Sequence, residues 1–208
     1  MESKYETNIK EFIDKALSLL GLVLLSPIFV LISIAVFIDD PGSVFFAQKR
    51  IGKDKKLFML HKFRTMKVNT PHDVPTHMLD NPERYITRVG GFLRRTSLDE
   101  LPQIWDILRG RMSIVGPRPA LYNQEDLVRE RDKYGANDIK PGLTGYAQIK
   151  GRDELSIEEK ASYDGKYVRM LKKGGVKAFF FDVLIFIKTI INLISHEGVV
   201  EGGTGSLE

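Results

Sequence analysis

One stretch without a charge constrains this chain more than anything else in it. Ala16 to Ile38 is an apolar run of 23 residues, long enough as a helix to cross a bilayer core of about 30 Å. It is too long for the core of a signal peptide, and no small-residue cleavage site follows it. A helix buried in a soluble core seldom runs so far without one ionisable side chain. The run is therefore read as membrane-associated.

How it meets the membrane turns on Ser26-Pro27, near its centre. A proline inside a helix removes one backbone donor and crowds the preceding turn. A kinked spanning helix tolerates that, and so does a re-entrant helix that enters and leaves on one face. Lys49, Arg50, Lys53, Lys55 and Lys56 follow the run and place its C-terminal side in the cytoplasm. A span would carry the charged segment Met1 to Lys15 across the bilayer, a cost that re-entry avoids.

The 208 residues contain no cysteine, which excludes disulfides, thiolate metal sites and thiol nucleophiles. The net charge of +4 points to anionic partners: nucleotide, phospholipid or nucleic acid. Eight Lys or Arg lie between Lys49 and Lys67 against one acid, Asp54. No basic motif interleaved with aromatics marks an RNA surface, so nucleic acid is not expected as a partner.

The expected fold is α+β and mainly helical. Val44–Ala47 and Leu57–Met59 flank the turn-prone Ile51-Gly52-Lys53-Asp54 and predict a small β-hairpin. Residues 68–82, with Pro71, Pro75 and Pro82, read as an irregular loop. His72 and His77 within it have metal-like spacing, but a surface loop explains them better. Helices are expected over Leu101–Leu108, Gln124–Lys133 and Ser156–Leu171, the last opened by the capping pattern Ser156-Ile157-Glu158-Glu159. Lys140–Gly151 reads as a glycine-rich loop. Val176–Ile194 is apolar around most of a helix surface and suits either a core helix or an interfacial one.

The candidate chemistry centres on Thr96-Ser97-Leu98-Asp99-Glu100-Leu101-Pro102-Gln103. Ser97 to Glu100 matches a capping box. With Asp99 as N-cap instead, Pro102 falls at the third helical position, where no intrahelical donor is required. On that register both carboxylates sit at a positive helix end, able to hold a divalent cation or attack phosphorus. Arg88, Arg94 and Arg95 precede the pair, and Arg109, Arg111 and Arg118 follow. Arginine forks match phosphate oxygens. Carboxylates for a metal with arginines for phosphate is the equipment that phosphoryl transfer requires. Pro117 and Pro119 fix the backbone on either side of Arg118, and Lys140 to Gln148 supplies glycines that let amides approach an anion.

Five segments in order resemble the bacterial sugar transferase family, the monotopic polyprenyl-phosphate phosphoglycosyl transferases. They are Lys49-Arg50-Ile51-Gly52, Lys62-Phe63-Arg64-Thr65-Met66, Leu98 to Gln103, Val115-Gly116-Pro117-Arg118-Pro119, and Lys140-Pro141-Gly142 through Gly151-Arg152. The resemblance covers about residues 10–195 and implies transfer of a sugar 1-phosphate from a UDP-sugar to undecaprenyl phosphate, with release of UMP. Such a reaction begins a surface glycan or glycoconjugate at the cytoplasmic face of the bacterial inner membrane.

The family's acidic dyad falls on Asp99 and Glu100, with Asp99 the nucleophile of a covalent phosphosugar intermediate and Mg²⁺ held by both. Lys62, Arg64, Arg88, Arg94, Arg95, Arg118 and Gln148 are the expected substrate-binding residues. The anchor is implied to be a re-entrant helix broken at Ser26 and Pro27. The organisation expected is an anchor over residues 1–40, a catalytic domain with a C-terminal interfacial helix over 41–200, and a linker-like tail over 201–208. Extra N-terminal spanning helices of larger relatives are lacking, which suggests a minimal catalytic form. The donor sugar and the oligomeric state are not legible. Two rival readings stay open: a glycosyltransferase that releases UDP, and a non-catalytic protein that binds anionic lipid.

Overall fold

A computed structural model describes residues 8–70, 81–151 and 154–195. The histidine-bearing part of the 68–82 loop and the 201–208 tail lie outside these residues. The described chain is mostly helical, as expected, with two small sheets.

The apolar run forms one helix, α1 (Lys10–Asp39), that continues through Ser26-Pro27. The proline does not end the helix, because the bond it deletes is replaced locally. Pro27 has no N–H to give to the carbonyl of Val23, and the Ser26 hydroxyl donates to that carbonyl at 2.8 Å. Most of α1 lies bare: Leu17, Leu20, Val23, Leu24, Leu31, Phe37 and Ile38 are all exposed. Its buried residues, Lys10, Asp14, Ser18, Ile32 and Val36, are spaced by multiples of four except across the middle, and mark one face.

That face is tied to the rest of the chain at both ends. Lys10 Nζ lies 2.9 Å from Asp182 Oδ2, and the Ser113 hydroxyl donates to Asp14 at 2.6 Å. At the other end Asp39 accepts from the backbone N–H of Val89 at 2.8 Å, and Asp40 pairs with the Arg64 guanidinium. A straight helix of this length reaches about 45 Å, and its start and finish meet the same folded body.

The hairpin is longer than the sequence suggested. β1 (Phe45–Ile51) and β2 (Leu57–Phe63) pair antiparallel, with Phe45 opposite Phe63 and Ile51 opposite Leu57. The turn between them is closed by Asp54 and Lys55 in the left-handed region. Phe63 is buried against Phe29 of α1, and α2 (Arg88–Arg95) adds Leu93 to the same cluster. Thr87 caps α2 by accepting from Gly90 N. Gly90 is required where α2 crosses the end of β2, since a Cβ there would stand 2.0 Å from the Thr65 carbonyl oxygen.

Beyond the dyad lie α3 (Gln103–Leu108), β3 (Ser113–Val115), α4 (Glu125–Asp132) and β4 (Gly142–Thr144). The expected glycine-rich loop thus contains a strand: β4 pairs parallel with β3, Ser113 opposite Gly142. α5 (Ile157–Lys173) opens with the expected capping box of Ser156 and Glu159. α6 (Gly175–Ser195) is one-sided. Ala178, Asp182 and Ile185 are buried against α5 and β3, while Val176, Phe180, Leu184, Ile187 and Ile191 are exposed. It is therefore not the enclosed core helix of the first alternative.

Candidate active site

The chain reaches the dyad through a strained turn. Ser97 sits in the left-handed region at φ 55° and makes no side-chain cap, so the capping-box register is not adopted. Leu98 to Glu100 form a single 3-10 turn, and Pro102, not Asp99, is the N-cap of α3. Pro102 is suited to that position because no donor is required of it. Leu98 and Leu101 pack into the cluster of Ile32, Val36, Phe63 and Leu93. Anchoring both leucines under α1 sets the two intervening carboxylates side by side, 7% and 8% exposed.

Cations surround the pair. Lys62 Nζ is 2.8 Å from Glu100 Oε1 and 3.5 Å from Asp99 Oδ2. Arg118 grips Glu100 with both terminal nitrogens, Nη2 to Oε1 at 2.7 Å and Nη1 to Oε2 at 3.3 Å. Arg94 donates from Nε to Thr65 Oγ1 at 2.9 Å, and its charge acts on Asp99. Burial raises the Asp99 carboxyl above its ordinary range, and the adjoining Glu100 charge adds to this against the pull of Lys62. Burial opposes ionisation of Glu100 too, but Arg118 and Lys62 outweigh it and hold that carboxyl well below the usual range. Adjacent residues of one type thus take opposite electrostatic roles.

Arg118 is held from behind. Its own carbonyl accepts from Arg131 Nη1 at 2.9 Å, and Arg131 is paired in the interior with Asp164 at 2.7 Å. Arg50 donates from Nη1 to the carbonyl of Pro119 at 3.1 Å, and Ile51 N donates to Ala120 O at 3.0 Å. The preceding Gly116 fits against β4 so closely that a Cβ would lie 2.6 Å from the Lys140 carbonyl oxygen. Arg50 is itself a half-buried cation beside Arg118, with a pKa lowered to about 10 by desolvation and then by that neighbouring charge. Lys62, Arg94, Arg118 and Arg50 together outnumber the two carboxylates, so the site has a surplus of positive charge suited to a polyanion.

Of the residues singled out by sequence, Asp99, Glu100, Lys62, Arg94 and Arg118 come together. Gln148 lies behind the Gly116 turn, its Nε2 3.3 Å from the Leu143 carbonyl and its Oε1 buried without a partner. Arg64 is committed elsewhere, to Asp40, the Ser43 carbonyl and the Met66 carbonyl, where it ties β2 to the end of α1. Arg88 and Arg95 lie exposed on the outer side of α2. Two contributors were not among the site residues expected from sequence. Arg50 was legible in principle, since residues 46, 48, 50, 58, 60 and 62 share one face of the hairpin, Lys62 among them. Asp106 was not: fully buried on α3, it accepts from His61 N at 2.9 Å and meets His61 Nδ1 at 2.8 Å, fixing β2 beside the dyad.

Among the described residues no cluster of three or more His, Asp or Glu forms a cage for a metal. The dyad's donor set nevertheless fits Mg²⁺, which keeps several waters and is commonly bound by one or two carboxylates plus substrate phosphates. Lys62 stands 3.5 Å from Asp99 Oδ2 and Arg118 3.3 Å from Glu100 Oε2, contacts long enough to leave carboxylate lone pairs for an ion.

A long, bare apolar helix beside a buried acid pair ringed by cations defines a class that comparison with known proteins sharpens. Residues 5–196 match the model of the bacterial sugar transferase family, and the chain belongs to that family. It is 41% identical over 189 residues to the UDP-glucose:undecaprenyl-phosphate glucose-1-phosphate transferase of Escherichia coli, covering 88% of this chain and 39% of that protein. It is 36% identical over 193 residues to the enzyme of the same description from Xanthomonas campestris, covering 88% of this chain and 38% of the relative. The similarity to the exopolysaccharide production protein ExoY of Sinorhizobium fredii is 35% over 195 residues, 87% of this chain and 83% of that one. The chain therefore spans about two-fifths of the length of the two glucose-1-phosphate transferases.

Proposed function

We propose that this chain is a phosphoglycosyl transferase that moves a sugar 1-phosphate from a UDP-sugar to undecaprenyl phosphate and releases UMP. The observation that carries the reading is the pair Asp99-Glu100, buried among cations that exceed the carboxylates and held by leucines packed against α1. Family membership and the descriptions of the relatives support the same chemistry.

Asp99 is the nucleophile. One of its carboxylate oxygens attacks the β-phosphorus, the bond from that phosphorus to the UMP oxygen breaks, and a phosphosugar is left on Asp99. An oxygen of the lipid phosphate then attacks the same phosphorus, and Asp99 departs as a carboxylate. Splitting one transfer into two displacements lets a soluble donor and a lipid acceptor use the site in turn. Arg118, Arg94 and Lys62 offset phosphate charge during both steps. Glu100, held ionised, keeps Lys62 and Arg118 in place. Asp99 and Glu100 would hold Mg²⁺, which when bound supplies charge neutralisation to the phosphates.

The anchor is monotopic. α1 carries its exposed apolar face into one leaflet and returns, which accords with both ends being tied to one body. Ser26 satisfies the carbonyl that Pro27 orphans, as a lipid environment demands. The exposed face of α6 lies at the same interface, on the cytoplasmic side of the inner membrane.

The test is UMP release by purified protein in nanodiscs with undecaprenyl phosphate, Mg²⁺ and a panel of UDP-sugars. UMP that requires both additions and is lost in Asp99→Asn is the expected result, and the active donor names the sugar. UDP in its place makes the protein a glycosyltransferase.

A further inference from the structure

Three arginines of α2 were expected to serve one purpose, and the helix divides them. Arg94 turns inward to Thr65 and the dyad. Arg88, Phe92 and Arg95 fall at i, i+4 and i+7 on the outer side. All three are exposed, Phe92 at 52%.

The setting of that face is specific. α2 is joined to the C-terminal end of α1 through Asp39 and the Val89 N–H, and its buried Leu93 packs with Ile32 and Val36. The exposed residues at that end of α1 are Ile34, Phe37 and Ile38, the last 74% exposed. The exposed apolar end of α1 and the exposed face of α2, an aromatic residue with an arginine one turn to either side, thus belong to two elements joined at their ends. Arginine and aromatic side chains bordering an apolar surface suit the headgroup layer of a bilayer, with the ring at the acyl boundary and the guanidinium groups at phosphate depth.

We propose that Arg88, Phe92 and Arg95 form a docking surface for anionic phospholipid, distinct from the transferring site and serving to enrich acidic headgroups beside it. The inference rests on the membrane reading of α1 given above, but not on the transferase chemistry. Charge complementarity commits the face to lipid: a neutral bilayer needs only the ring, while two arginines favour an anionic leaflet at about 1 kcal/mol each, roughly fivefold apiece.

The single tryptophan of the chain makes a direct test possible. Phe92→Trp combined with Trp105→Phe moves the reporter onto the proposed face. The protein is reconstituted in mixed phosphatidylcholine and phosphatidylglycerol vesicles, with bromine on the acyl chains of one lipid or the other at equal mole fraction. Stronger quenching by brominated phosphatidylglycerol is expected, reduced by high salt and abolished by Arg88→Gln with Arg95→Gln. Arg129→Gln, on exposed α4, should leave the difference intact. Equal quenching by both lipids overturns the proposal, as does a preference that survives the double substitution. Quenching by neither lipid also overturns it. Flotation of the same samples identifies the cause: protein that fails to float loses the membrane reading as well, whereas protein that floats unquenched loses only this surface. UMP release, measured separately, stands or falls independently of all these outcomes.

Discussion

At the scale of single residues, the site is governed by how two neighbouring carboxylates are treated. Glu100 is surrendered to Arg118 and Lys62, while Asp99 is buried with weaker compensation. That division makes a prediction about stability. A carboxyl whose folded pKa lies below its unfolded value stabilises the fold above the ordinary value of 4.5, and the benefit fades as pH falls toward the depressed one. Glu100→Gln should therefore lower the melting temperature at neutral pH, and the gap from the wild type should narrow as the medium is acidified below that value. A gap independent of pH would show that the ion pairs add nothing. The sequence marked Asp99, Glu100, Lys62 and Arg118 but could not assign them different electrostatic environments, because burial and cross-chain distances create the difference. Arg64 is the converse case. It lies in the same motif as Lys62, and alternation alone would put both on one face, but β2 ends at Phe63 and beyond it Asp40 claims the Arg64 guanidinium.

At the scale of elements, the dyad is precise because three connections meet beneath it: Asp106 to His61, Arg50 to Pro119, and α2 on Thr65. The close approach at Gly90 is the most sensitive of these. Gly90→Ala places a methyl group against a backbone oxygen and should cost about 1–3 kcal/mol or more as α2 is forced off β2. The midpoint of denaturant unfolding checks this, and activity should fall further than stability alone explains, because Arg94 leaves with the helix. Helices and hairpin were legible because their periodicity is local. The β3–β4 pairing was not, since two three-residue strands carry no pattern of their own. They form because glycines at 116, 142 and 145 let two backbones meet. The dyad's turn was likewise misassigned: capping chemistry at Ser97 was outweighed by the need to bury Leu98 and Leu101.

At the scale of the whole molecule, a long bare helix is held at both ends by one body, and α6 adds a second exposed apolar face beside its start through Lys10 and Asp182. The apolar run announced the long helix in the sequence, but not that its start is tied to β3 and α6 by contacts 99 and 172 residues apart in the chain. The absence of cysteine makes the topology testable. Single cysteines at Ser3 and Glu158 should both react with an impermeant maleimide from the cytoplasmic side only, and labelling from opposite sides would mean that α1 spans. The reaction itself is tested most directly without its acceptor. Protein mixed with the active UDP-sugar and Mg²⁺, but no lipid phosphate, should release UMP in a burst of at most one equivalent per chain. Its intact mass should rise by one sugar phosphate mapped to Asp99, and Asp99→Asn should show neither change. UMP that appears only when acceptor is present, from a protein whose mass never changes, would contradict the two-step displacement through Asp99.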